Sequence, residues 1–307
     1  MSLAASLKAR LRIPAIAAPM FLVSGKELVL AACRAGIIGS FPGNNARTIE
    51  IFEQWLVELG RELSSDAPPW AVNIMVHRSY ARMAEELELV LKHRPPIVIT
   101  ALGSPAAVVD AIHGYGGVVL ADVNSVSYAR KAAAAGVDGL VLVAAGAGGH
   151  TGEIAGFAFA PAVREFFDGV LVLGGGIGSG EAIRAAEILG ADFAYLGTRL
   201  IAARESIAEP AYKRMLIEAS VEDIVRSAAL TGVPANWLRP SLEAAGYGSA
   251  ALDAKTVIDL GRPEDTAKRW RDVWSAGQGA GAVRSEESMA VIVEELARGY
   301  DRVLARS

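Results

Sequence analysis

Short apolar runs alternate with stretches of helical periodicity along the first two thirds of the chain. The apolar runs are nearly continuous in Val, Ile, Leu and Ala, which indicates strands that are covered on both faces. They predict strands at residues 13–18, 37–40, 70–75, 97–100, 117–121, 139–143, 170–173 and 192–196. The periodic stretches predict helices at residues 24–35, 47–63, 79–93, 105–113, 125–135, 160–167 and 180–189.

This alternation favours an α/β fold of the (β/α)8 TIM-barrel type. An open, doubly wound sheet is the alternative, but no boundary divides the repeat into two halves, which favours one closed barrel. In such a barrel the functional residues lie on the loops that follow the strands, and phosphate binds on the last two of those loops.

The alternation ends after residue 202. We predict a barrel formed by residues 1–202 and 263–307, with a C-terminal helix at residues 285–304, and a mainly helical subdomain at residues 203–262 near the barrel mouth. The segment 274–281 is too rich in glycine for a helix interior, and a plain connector is one interpretation of it.

Composition narrows the class of protein. The chain has 307 residues, of which 52% are hydrophobic, so a large core is expected. The net charge of −4 argues against a nucleic-acid partner. A single cysteine, Cys33, excludes a disulfide within the chain and fits a reducing compartment. No apolar run approaches the length of a membrane helix. We therefore expect a soluble, cytoplasmic protein that binds no membrane.

Two glycine-rich runs follow predicted strands. The first reads Gly146-Ala-Gly-Gly-His-Thr-Gly152 and contains His150, a residue type that commonly transfers protons in enzymes. The second, Gly174-Gly-Gly-Ile-Gly178, and the later pair Gly197-Thr198 predict a phosphate site. Neither run has the spacing of a dinucleotide or nucleoside-triphosphate loop, and no metal-binding motif is present. A flexible loop with an incidental histidine is the other interpretation of the first run.

The assembled motifs resemble those of the nitronate monooxygenase (2-nitropropane dioxygenase) family. In addition to the two glycine runs, the resemblance rests on Ala17-Ala-Pro-Met20, Val72-Asn-Ile74, Leu196-Gly-Thr-Arg-Leu200 and Trp274-Ser-Ala-Gly-Gln278. It implies a TIM barrel that binds FMN non-covalently at its mouth. It also implies that His150 is the catalytic residue.

The resemblance assigns the cofactor contacts position by position. Met20 and Asn73 would line the flavin ring, and Gln278 would approach it from the C-terminal segment. Several relatives carry a basic residue after the fifth strand; at this place the chain has Asp122 and Asn124, so that Asp122 or Asn124 would face the cofactor instead. The ribityl phosphate would be held by Gly149, Gly175, Gly176, Gly197 and Thr198. Apolar candidates for the rest of the pocket are Phe21, Ile74 and Phe157.

The activity implied by the resemblance is FMN-dependent oxidation of alkyl nitronates by O2. One alternative on the same scaffold is an FMN reductase that uses NAD(P)H to reduce an enoyl thioester of CoA or a carrier protein, or a quinone. A non-catalytic FMN- or phosphate-binding protein is an alternative of another class. The sequence leaves the oligomeric state open, with a homodimer as one alternative.

Overall fold

Parallel strands form a barrel in the computed structural model, which describes residues 1–247 and 272–305. The strands in this part of the chain are β1 (Ala15–Ala17), β2 (Gly39–Pro42), β3 (Trp70–Met75), β4 (Ile97–Ala101), β5 (Val118–Val123), β6 (Gly139–Val143), β7 (Gly149–His150), β8 (Val170–Gly174), β9 (Phe193–Leu196), β10 (Ile224–Ser227) and β11 (Ala235–Leu238). The barrel order is β1-β9-β8-β6-β5-β4-β3-β2. A bridge between Ile16 and Ile38 brings the two edge strands together, which confirms the predicted (β/α)8 barrel.

Helices cover the outside of the barrel. They are α1 (Leu3–Lys8), α2 (Lys26–Ala35), α3 (Ile49–Glu62), α4 (Met83–His93), α5 (Val109–His113), α6 (Val126–Ala134), α7 (Gly156–Arg164), α8 (Gly180–Ile188), α9 (Thr198–Ile201), α10 (Pro210–Glu218), α11 (Arg239–Ala244) and α12 (Met289–Leu304). Several begin at a serine or threonine whose side-chain oxygen accepts a backbone N–H of the first turn, as Thr48 does for α3 and Ser179 for α8. The predicted C-terminal helix is confirmed as α12.

The barrel interior is apolar through most of its depth. Inward-facing residues form one cluster with Leu7 of α1, which packs against the interior residues. The alternation of side chains along a strand then determines which residues come next on the inner face. Two positions after Ala71, Leu120 and Phe193, the inner face becomes polar, with Asn73, Asp122 and Tyr195 at the carboxyl ends of their strands.

The segment after the barrel differs from its prediction. Of the predicted helical subdomain, residues 203–247 contain α10, α11 and an antiparallel hairpin of β10 and β11. The hairpin was not predicted, but α10 and α11 contain more residues than its two strands, and the expectation of a mainly helical subdomain stays a prediction. Residues 248–262 of the predicted subdomain lie outside the described residues, and the division into two domains stays a prediction.

Candidate active site

Three polar atoms on the inner face lack hydrogen-bond partners within the described structure. They are Asn73 Nδ2, Asp122 Oδ1 and Tyr195 OH, and each is buried from solvent. A buried polar atom that makes no hydrogen bond destabilises a protein by about 1–3 kcal/mol. Three such atoms in the same layer at the carboxyl end of the barrel are therefore the expected lining of a ligand site, because a bound polar group would supply the missing partners.

Burial also changes the acid–base properties of this layer. It raises the pKa of Asp122 to about 7, since the surroundings disfavour the ionised carboxyl group. The pKa of Tyr195 lies well above its usual value because of burial and then because of the nearby negative charge of Asp122. Sequence analysis named Asp122 but missed Tyr195. Tyr195 could have been identified from strand alternation, because it follows Phe193 by two positions on β9 and therefore lies on the same face of the strand.

The loop after β6 carries His150 at the edge of this layer. Thr151 fixes the loop, since its Oγ1 donates to Ala144 O at 2.9 Å. Gly149 has φ +67°, a conformation that favours glycine. The half-buried His150 has its pKa lowered by burial, so its imidazole is neutral at pH 7 and can accept a proton.

The predicted phosphate loops are brought together at the same end of the barrel. Gly175 and Gly176 have φ of +129° and +73°. A Cβ added to Gly176 would meet only Gln278 Cβ, at 3.9 Å, so the space beside this backbone is open to a ligand. On the neighbouring strand end, a Cβ at Gly197 would lie 3.7 Å from Met20 Sδ. These glycines allow a bulky anion to approach the backbone closely.

The segment 274–278 is part of the site and not a plain connector. Gln278 N donates to Gly146 O at 2.9 Å, and Gly277 N donates to Thr198 Oγ1 at 2.8 Å. The ring of Trp274 stacks on Tyr212 with centroids 5.2 Å apart. The C-terminal segment therefore joins the loops after β6 and β9, and the approach of Gln278 to a flavin stays a prediction.

Two buried asparagines that sequence analysis did not identify hold the loops of the site. Asn45 Nδ2 donates to Met20 O at 2.9 Å and to Ser24 O at 2.8 Å. Asn236 Nδ2 donates to Ala145 O at 2.9 Å and to Ala147 O at 2.7 Å. Each amide fixes a loop that is distant in sequence.

Two of the three apolar pocket predictions are wrong. Ile74 is 2% exposed and belongs to the core between the barrel and its helices, because it points away from the interior. Phe157 is 76% exposed on the first turn of α7 and does not line a closed pocket. Phe21 is half-buried and stays a prediction.

The environments of Cys33, His93 and His113 do not indicate thiol-based catalysis or a metal site. Cys33 is buried on α2, where burial raises the pKa of its thiol to about 12, so it is a poor nucleophile. His93 and His113 bind Glu53 and Asp138, each at 2.9 Å. Within residues 1–247 and 272–305, no group of His, Cys, Asp and Glu side chains has the arrangement of a metal site. No helix in those residues has the length and apolarity that a membrane span needs.

A family model described as nitronate monooxygenase matches residues 63–299, which is well over half of the chain. The chain belongs to this family. Among its relatives, a nitronate monooxygenase of Paraburkholderia phytofirmans is 27% identical, and the match covers 94% of each chain. The family assignment agrees with the glycine–histidine loop and the phosphate loops that the structure brings together.

Two relatives from Mycobacterium tuberculosis match a smaller share of their own length. A candidate monooxygenase is 37% identical over 155 residues, which are 50% of this chain and 41% of the relative. A (3aS,4S,5R,7aS)-5-hydroxy-7a-methyl-1-oxo-octahydro-1H-indene-4-carboxyl-CoA dehydrogenase is 26% identical over 232 residues, which are 75% of this chain and 64% of the relative. The chain thus spans less than two thirds of the length of these two relatives.

Two solved structures share the complete fold of this nitronate monooxygenase family member. A nitroalkane oxidase from Streptomyces ansochromogenes superposes with a TM-score of 0.82 at 25% identity, covering 98% of this chain and 100% of that chain. FabK from Thermotoga maritima has the same TM-score at 24% identity, covering 100% and 98%. The FabK similarity supports the barrel assignment alone.

Proposed function

We propose that this protein is an FMN-dependent oxidoreductase that oxidises alkyl nitronates with O2. The observation that carries the proposal is the convergence of His150, the open glycine backbone at Gly176 and three unpartnered polar atoms at one end of the barrel. Family membership supports the same reaction class. The nitroalkane oxidase fold supports a nitro compound as the substrate.

The residues present fit FMN. Gly175, Gly176, Gly197 and Thr198 would hold the phosphate, because their loops meet and leave the backbone beside Gly176 open. The flavin ring would lie over the inner polar layer, where Asn73 and Tyr195 can donate hydrogen bonds and Asp122 can accept one. When bound, FMN supplies the electron-accepting chemistry that protein side chains lack.

His150 would prepare the substrate. Its neutral imidazole can take the α-proton of a nitroalkane, whose C–H bonding electrons then form the C=N bond of the nitronate. With a nitronate supplied as such, no proton has to be removed, and the protonated or neutral ring serves to orient the nitro oxygens. Substitution of His150 should therefore reduce activity more with a nitroalkane, where the ring acts as a base, than with a nitronate, where it only orients the substrate.

A reductase of activated double bonds is the second candidate. Asp122 places an ionisable carboxyl group, and no cation, on the inner face of the site. An ionised Asp122 would repel an anionic nitronate, whereas a neutral enoyl thioester avoids this cost. The carboxyl-CoA dehydrogenase relative shows that a protein similar to this chain is named for a CoA thioester. In this alternative, NAD(P)H would supply the electrons.

Anaerobic mixing distinguishes these candidates. The FMN-loaded protein would be mixed separately with propionate-3-nitronate, NADH and NADPH, and flavin absorbance would be followed. Loss of oxidised-flavin absorbance with the nitronate alone is the expected result. Rapid bleaching by a nicotinamide would establish the reductase and overturn the nitronate proposal. Binding of FMN without any reaction would support a non-catalytic protein, and failure to bind FMN would exclude a flavoenzyme.

Substitution of His150 tests its role. We expect His150→Ala to lower kcat with a neutral nitroalkane by roughly 10²–10⁴-fold, the usual effect of removing a general base. With a preformed nitronate the loss should be smaller. His113→Ala is the matched control, because His113 ends α5 and its ring bonds Asp138, at the end of the barrel where the strands begin, at 2.9 Å. Equal turnover of His150→Ala and the control on both substrates would contradict a catalytic role.

A further inference from the structure

The hairpin of β10 and β11 contacts the loop that carries His150. Strand β7, which contains His150, pairs antiparallel with β11, so that Ala235 lies opposite His150 and Asn236 opposite Gly149. Thr151 N also donates to Pro234 O at 3.0 Å. We propose that the hairpin fixes the position of His150 and that Asn236 is the positioning residue through which it does so. The inference rests on the proposed catalytic role of His150.

Asn236 connects both ends of the tight turn that leads to His150. Its Nδ2 donates to Ala145 O and Ala147 O, at 2.9 and 2.7 Å, while Ala147 N closes the turn on Ala144 O at 3.0 Å. Asn236 is 3% exposed, so its amide is shielded from solvent. One amide thus satisfies two backbone acceptors, and a loop with four glycines loses much of its freedom.

An apolar cluster that contains Trp237 of β11 stabilises the hairpin. Trp237 is fully buried, packs with Leu230 and Leu242, and donates from Nε1 to Ser227 O at 3.2 Å. This cluster is separate from the clusters of the barrel interior and of the helix layer. The Trp237 cluster thus stabilises β11, the strand that pairs with the His150 loop.

Charged side chains contribute less to this junction. Glu153 on the loop and Arg226 on β10 form an ion pair at 2.5 Å, but their side chains are 77% and 41% exposed. Exposed ion pairs of this kind add little stability. The buried amide of Asn236 and the two backbone pairs are the contacts through which the hairpin holds the His150 loop.

Histidine NMR titration tests the proposal. The chain has four histidines, so histidine-selective labelling gives a small set of imidazole signals, and the His150→Ala variant assigns one of them. We expect Asn236→Ala to shift the His150 titration midpoint upward, toward the ordinary value of about 6.5, because a released loop admits water to the ring. The signals of His77, His93 and His113 should not move.

Asn45→Ala is the matched control. It removes two donor hydrogen bonds of similar length, together with the one that Leu22 N donates to Asn45 Oδ1, from the loop after β1 and should leave the His150 signal unchanged. Equal shifts in both variants, or no shift in Asn236→Ala, would overturn the proposal. If Asn236→Ala failed to fold, Asn236→Asp would carry the same test, because it keeps the side-chain volume and its carboxylate cannot donate. The readout needs no turnover, so it remains valid if the nitronate proposal fails.

Discussion

At the scale of single residues, Asp122 has a buried carboxyl oxygen, Oδ1, that has no hydrogen-bond partner in the described structure. The usual compensation for a buried carboxylate is a cation or a set of donors, and here a bound ligand would have to provide it. The ligand-free protein therefore bears the cost of burying this group. That cost depends on whether the carboxyl group is ionised.

We expect Asp122→Asn to stabilise the ligand-free protein at high pH and to have less effect at low pH. In the folded state the pKa of Asp122 is raised to about 7, whereas an unfolded carboxyl titrates at about 3.9. Between these values the folded state holds more protons, so wild-type stability falls as the pH rises through that window. Each kcal/mol corresponds to roughly 2–4 °C in Tm. Thermal melts of both proteins at about pH 4 and about pH 8 measure the difference; an equal difference at both would show that Asp122 keeps an ordinary pKa.

The backbone of Gly176 offers a second test at this scale. Gly176→Ala and Gly116→Ala place a side chain at φ +73° and +83°, and neither added Cβ meets a close neighbour. Both variants should lose about 1–2 kcal/mol of stability to backbone strain. Only Gly176→Ala should weaken FMN binding, by about tenfold or more, because its Cβ enters the proposed phosphate site.

Flavin fluorescence titrations of the two variants measure that difference directly. Because the strain is shared, the comparison separates a local effect on the ligand from a general loss of stability. Equal FMN affinity in Gly176→Ala and Gly116→Ala would place the phosphate elsewhere in the barrel mouth.

At the scale of elements, α8 and α12 cross at a point where only glycine fits. A Cβ on Gly180 would lie 2.0 Å from Leu296 O and 2.2 Å from Tyr300 N, both of which are backbone atoms. On α12, a Cβ at Gly299 would lie 3.2 Å from Gly180 Cα. The close crossing holds the C-terminal helix against the barrel next to the loop after β8.

We expect Gly180→Ala to destabilise the protein by about 1–3 kcal/mol or more, since the helices must separate. Gly60→Ala is the control, because Gly60 lies in α3 with nothing within 4 Å of an added Cβ. That change should stabilise the protein by about 0.5–1 kcal/mol through helix propensity. Urea unfolding of the two variants would show the opposite signs; a neutral Gly180→Ala would refute the tight crossing.

Strands of the barrel and strands of the hairpin differed in how well the sequence predicted them. A barrel strand such as β6 is a continuous apolar run, because both of its faces are buried. The hairpin strands have four residues each and mixed polarity, as in Ala235-Asn-Trp-Leu238, and β7 has only two residues. Their pairing depends on partners that are distant in sequence, which local periodicity does not reveal.

At the scale of the whole molecule, the sequence predicted the site better where the fold follows a general rule. The rule that strand ends and final loops carry function placed His150, Gly176 and Thr198 correctly at the mouth. It could not identify Asn236, whose side-chain amide donates hydrogen bonds to residues 91 and 89 positions away in the sequence. It also could not tell whether Ile74 faces the barrel interior or the surrounding helices. Those features require the three-dimensional packing of segments that the sequence keeps apart.

The hairpin meets the His150 loop through backbone pairs and one amide, and its Ile224 and Leu238 pack with Met20 and Val23 at the barrel mouth. Substitutions that reshape its outer surface would not disturb the barrel strands that would bind the cofactor. For protein engineers, the solvent-facing positions of residues 224–238 are places to introduce sequence from relatives, while Ile224, Asn236 and Leu238 are retained.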